Sequence, residues 1–108
     1  MSEFDLALQD YAAYIVEDYR RWRSRTGDPV VVDSDFTVEI NLGKTYAKVI
    51  VNTFAQKSVH SFVVLKSGEK FNFGDILKAA SWAAPAKNKA RGNVLDGDWF
   101  RATWTGIS

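Results

Sequence analysis

The chain has 108 residues, 46% of them apolar and 25% charged, with a formal net charge of +1. That is enough sequence for one domain with one modest core, and any basic binding surface must be local. The absence of cysteine excludes disulfides, thiolate nucleophiles, iron–sulfur clusters and Cys-based zinc sites, and the single histidine, His60, excludes a two-His metal site within one chain.

The first element is a helix. Phe4, Leu8, Tyr11, Ile15, Tyr19 and Trp22 recur at steps of three and four and form one apolar stripe. Ser2 and Asp5 resemble a capping box. Acids lie early (Glu3, Asp5) and bases late (Arg20, Arg21, Arg23, Arg25), which suits the helix dipole. Gly27 and Pro29 supply the stop, so the helix is expected from about Glu3 to about Ser24. The same acidic start is the wrong charge for a signal peptide, and no apolar run approaches the roughly 20 residues that span a membrane. A cytoplasmic protein without a membrane partner is the expectation.

Beyond Pro29 the period changes to two. Val30–Val32 is a β-branched run, and Phe36–Ile40 alternates apolar and polar residues. Asn41–Lys44 reads as a turn. Tyr46–Phe54 and Ser58–Lys66 are predicted strands, the second ending at the turn signal Ser67-Gly68. Lys70–Phe73 alternates again, with a possible continuation through Leu77, and Asp98–Trp104 is the last predicted strand. One helix followed by about five short strands indicates a mainly β (α+β) single domain spanning 1–108, with a small, strongly bent antiparallel sheet over about 30–104. The stretch from about 78 to 96 fits neither period and is expected to be a long irregular loop, a place where function concentrates.

Enzyme signatures are missing. There is no P-loop and no Gly-x-Gly-x-x-Gly string. His60 sits between Val59 and Ser61 in a predicted strand and is expected to be solvent-facing or half-buried there. The acid pairs Asp33/Asp35 and Asp96/Asp98 stand beside strand ends and glycines, where turn and cap roles are expected. The expectation is a protein with no enzymatic activity, no cofactor and no metal.

Two basic features remain. Arg20–Arg25 winds around a helix end and is expected to complement the dipole and pair with Glu17 and Asp18. The loop is the second. Between Lys66 and Arg91 there are six bases against two acids, in a chain of net charge +1. Lys87, Lys89 and Arg91 are candidates for phosphate contact, with Asn93 for a base edge. Trp82 is a candidate for base stacking, and a core anchor is its other reading.

Ser61-Phe62-Val63, Gly74 to Trp82, Ala84-Pro85-Ala86-Lys87 and Ala90-Arg91-Gly92-Asn93-Val94 resemble a family of uncharacterised small proteins of phage (cyanophage-like) genomes and marine metagenomes. The resemblance implies an Sm-like fold, with an amino-terminal helix and five strongly bent strands forming a barrel. It also implies assembly into a homo-oligomeric ring and binding of single-stranded RNA or DNA in phage nucleic-acid processing. Arg91-Gly92-Asn93-Val94 looks like the start of the second Sm motif, while the Asp…Asn pattern of the first is not recognisable. A phage structural or host-interaction protein, using the same loop for a protein partner, is the alternative expectation.

Overall fold

The computed structural model describes residues 2–25, 36–53, 56–99 and 101–107. Helix α1 (Glu3–Arg25) begins on the expected capping box. The Asp5 N–H donates to Ser2 Oγ at 3.1 Å, and the Ser2 N–H donates back to Asp5 Oδ2 at 3.4 Å. Leu8, Tyr11, Ile15 and Tyr19 are buried, as the stripe requires. The stripe ends one turn earlier than expected. Trp22 is 37% exposed and leans on Trp104 at the rim, with ring centroids 4.8 Å apart. Among the described residues no helix is long and apolar enough to cross a membrane.

Strands β1 (Phe36–Leu42), β2 (Tyr46–Thr53), β3 (Gln56–Val64), β4 (Asp75–Lys78) and β5 (Gly92–Asn93) form an antiparallel sheet in chain order. A short hairpin, β6 (Ala102–Thr103) and β7 (Gly106–Ile107), follows. The domain is thus mainly β, with one amino-terminal helix. The described residues do not close the sheet into a barrel; β1 and β5 are its two edges. The Val30–Val32 run and the Asp33/Asp35 pair lie outside the described residues.

Two strand expectations are corrected. Lys70–Phe73 is not a strand, because side chains take the backbone donors a ladder would need. The Asn72 N–H donates to Asp75 Oδ2 at 2.8 Å and the Phe73 N–H to Ser67 Oγ at 2.9 Å. The strand lies in the continuation, at Asp75–Lys78. Asp98–Trp104 is likewise broken: the Ala102 N–H turns back to the Trp99 carbonyl at 2.8 Å, and pairing resumes in the β6–β7 hairpin.

Each face of the sheet has its own cluster. On the α1 side, Phe36, Ala47, Val49, Val51, Val63 and Ile76 pack with the helix stripe. On the opposite side, Phe62, Val64 and Leu77 are buried with Tyr46, Val59, Phe71 and Ala79 around them. The alternation is broken once. Val49 pairs with Ser61 and Ile50 with Val59, so His60 is the extra residue of a β-bulge.

That bulge corrects the expectation for His60, which is 3% exposed. Its slot as the added residue turns it, with Ser61, toward Tyr11 of the helix. Nε2 donates to the Thr103 carbonyl at 2.6 Å, which leaves Nδ1 as the acceptor. The Ser61 hydroxyl donates to Nδ1 at 2.8 Å, and the Tyr11 hydroxyl donates to Ser61 Oγ at 2.8 Å. This buried chain ties helix, sheet and hairpin together. Burial pushes the His60 pKa down and the Tyr11 pKa up, so both stay neutral.

Candidate nucleic-acid interface

The face of the sheet turned away from α1 carries the candidate site. Strand β2 presents Tyr46 and Lys48 there, because they alternate with the core residues Ala47 and Val49. Residues 79–86 fold over one end of this face. Their order comes from small residues and one serine: Ser81 Oγ accepts the Ala84 N–H at 3.1 Å, and the Ala86 N–H donates to the Lys78 carbonyl at 2.7 Å. Ala79 and Pro85 form a bridge between them. The segment is therefore a built turn rather than an irregular loop.

Trp82 stands on that turn and is 52% exposed. Its core-anchor reading is corrected, since Phe62 and Leu77 already fill the space beneath. The Lys48 ammonium lies 4.9 Å from the indole centroid, a cation–π contact. Around them, Asn41 to Tyr46, Lys48, Phe62 and Ala83 line a cleft of about 440 Å³. A second cleft of about 520 Å³ shares Thr45 and Tyr46 with the first and adds Lys66, Lys70, Phe71 and Lys87. The two clefts together carry Lys44, Lys48, Lys66, Lys70 and Lys87, against Glu69 as their only acid. The Lys70 ammonium donates to the Lys87 carbonyl, which joins the two loops at the rim.

The expected site residues divide. Lys87 and Trp82 belong to this face. Lys89 is exposed but lines neither cleft. Arg91 is half-buried, donates to Asn88 Oδ1 at 3.2 Å, and borders a different cleft with Asp75, Asp96 and Asp98. Asn93 is committed inside the fold. Its Nδ2 donates to Asp75 Oδ1 at 2.9 Å and to the Phe73 carbonyl at 3.2 Å, while its Oδ1 accepts the Leu95 N–H at 2.8 Å and the Asp96 N–H at 3.3 Å. Lys44, Lys48 and the aromatics Tyr46 and Phe71 were not among the expected residues. The signal for Lys48 was its place in the alternation Tyr46-Ala47-Lys48-Val49.

The Arg91-Gly92-Asn93 string has a structural cause. A Cβ on Gly92 would stand 2.1 Å from the Asp98 carbonyl oxygen, which belongs to the bridge between Asn93 and Asp98. Gly92→Ala is therefore expected to cost about 1–3 kcal/mol or more. Urea unfolding should show a lower midpoint at unchanged slope; an unchanged midpoint would mean that the two backbones do not approach so closely.

At the level of class, this is a small α+β domain: one helix on an antiparallel meander, with a lysine- and aromatic-lined face opposite the helix. The chain belongs to the family of unknown function DUF7717, whose model matches residues 5–107. No curated protein and no solved structure matches it.

Proposed function

We propose that this protein binds single-stranded nucleic acid, RNA or DNA, through the face opposite α1, without catalysis. The observation that carries the reading is the convergence of five lysines and the half-buried rings of Tyr46 and Phe71 on adjoining clefts with a single acid, beside the exposed Trp82. Lysines supply sequence-independent phosphate attraction, and exposed rings stack on bases that a duplex would hide. Trp82 offers an indole backed by the Lys48 cation, and Tyr46 and Phe71 continue the surface. Lys87 keeps the role expected from the sequence.

Self-association belongs to the same proposal. The outer side of β1 has no strand partner among the described residues, and an open edge of seven residues favours pairing with another chain. In this proposal the assembly is the Sm-like ring, in a phage setting, that the sequence resemblance implies. Light scattering on a size-exclusion column should then give a mass several times 12.1 kDa; a monomer at micromolar concentration removes the ring.

Binding is tested by fluorescence anisotropy of a labelled single strand across a salt series. Affinity should fall steeply with salt, and replacing Lys48, Lys66, Lys70 and Lys87 by Ala should flatten the slope by roughly 0.7 per contacting lysine. Trp82→Ala should cost about 1–3 kcal/mol of affinity with melting nearly unchanged. A quadruple variant that keeps the parent's affinity and slope sinks the proposal.

A further inference from the structure

A further groove lies beside the carboxyl-terminal hairpin and shares no lining residue with the two lysine-lined clefts. It runs between the β6–β7 hairpin, the middle of β3 and the end of β4, with a volume of about 310 Å³. Lys78, Arg101, Thr103, Thr105 and His60 are its polar lining, and no acidic residue lines it. We propose that this groove binds a phosphomonoester dianion.

The geometry supports this in three ways. Lys78 pairs with Ser61 across β3 and β4, which directs its side chain to the same face as the buried Ser61–His60 chain. Arg101 comes from the segment leading into β6 and reaches the groove from the opposite wall, while also bordering the cleft of Asp75, Asp96 and Asp98. Two cationic residues from separate elements thus line one groove, an arrangement suited to an anionic phosphomonoester.

The hairpin wall is fixed before any ligand arrives. His60 Nε2 holds the Thr103 carbonyl at 2.6 Å. The Thr103 and Thr105 hydroxyls are 2.8 Å apart, and Gly106 takes the tight turn with φ of 149°. The single Thr103 hydroxyl hydrogen is shared between Thr105 and, at 3.4 Å, the Gly106 carbonyl; in the first arrangement the Thr105 hydroxyl hydrogen is left to donate to a ligand oxygen. His60 contributes shape rather than charge, since its ring is spent on Thr103 and Ser61 and burial keeps it neutral.

The phosphomonoester could arrive as a free nucleoside monophosphate or as the 5′ end of a strand. The first probe is inorganic phosphate, titrated into the ¹⁵N-labelled protein at neutral pH. Saturable shifts of the Lys78, Thr105 and Gly106 amides are expected, with affinity weakened about tenfold or more in Lys78→Gln and in Arg101→Gln. Each variant's melting is measured alongside, so that loss of fold is not read as loss of binding. Next, a 5′-phosphorylated oligonucleotide is compared with its 5′-hydroxyl form. Tighter binding of the phosphorylated strand, abolished by Lys78→Gln, assigns the groove to strand ends. Equal binding of the two strands, with the phosphate response intact, assigns it to a free phosphorylated molecule. Linear, non-saturating shifts, or saturation with the same affinity in both folded variants, overturns the proposal. The inorganic-phosphate arm does not depend on the lysine-lined clefts, which share no lining residue with this groove, so its failure is distinct from a failure of strand binding.

Discussion

Leu8→Ala is expected to remove about 2–5 kcal/mol of stability, the range for emptying a fully packed leucine site. Leu8 is 4% exposed in the stripe that seals the α1 side of the sheet, against residues of β1, β2 and the carboxyl-terminal hairpin. In a domain of this size each kcal/mol lowers the melting temperature by roughly 4–8 °C, so the shift is large and simple to read. Leu6 provides the control. It lies two positions away on the same helix but is 49% exposed, so Leu6→Ala should stay within about 0.5 kcal/mol of the parent. Equal effects from the two substitutions would mean that the helix does not dock by this stripe.

His60→Ala should cost about 3 kcal/mol or more, through two routes. It empties a buried ring site, and it strands the Thr103 carbonyl and the Ser61 hydroxyl without their partner. The substitution also has a pH signature. The His60 pKa is lowered on folding by burial, with the Thr103 carbonyl opposing. The unfolded chain therefore takes up a proton at a higher pH than the folded one. The contribution is fully present above the unfolded value, about 6.5, and is lost as pH falls through the folded one. Protonation would also put a hydrogen on Nδ1, where the Ser61 hydroxyl now donates. The parent's melting temperature should decline as pH drops from 7 toward 5, and the His60→Ala protein should be flatter over that interval. Parallel curves would contradict a buried neutral imidazole.

The parts of the fold legible in the sequence were those set by local period. The helix followed from the three- and four-residue steps and its Ser2/Asp5 cap, and the β1–β3 meander from alternation and turn residues. His60 was misjudged because a bulge inserts one residue into the alternation, and nothing local announces it. The Lys70–Phe73 segment has strand-like alternation, but Ser67 and Asp75 capture its backbone donors, a competition that periodicity does not register.

The site was legible only where its residues are close in sequence. Lys87 and Trp82 stood out in one window. Lys44, Lys48, Lys66 and Lys70 come from different turns and strands, and only the pairing of β2 with β3 and the folding of residues 79–86 bring them beside one another. Arg91-Gly92-Asn93 shows the opposite case. An arginine, a glycine and an amide suit nucleic-acid contact by type, yet here the glycine admits the Asp98 carbonyl and the amide holds a turn together.

The central claim is that the face opposite α1 receives the strand. The most direct measurement is a ¹H–¹⁵N shift map of the protein titrated with a 5′-hydroxyl single-stranded oligonucleotide at low salt. The Trp82 indole N–H and the amides of residues 44–48, 66–71, 82–84 and 86–87 should shift together and saturate at one affinity, while those of Leu8, Tyr11 and Ile15 on α1 stay in place. Shifts centred instead on Arg20–Arg23 at the end of the helix, or no shifts at all, would contradict the account.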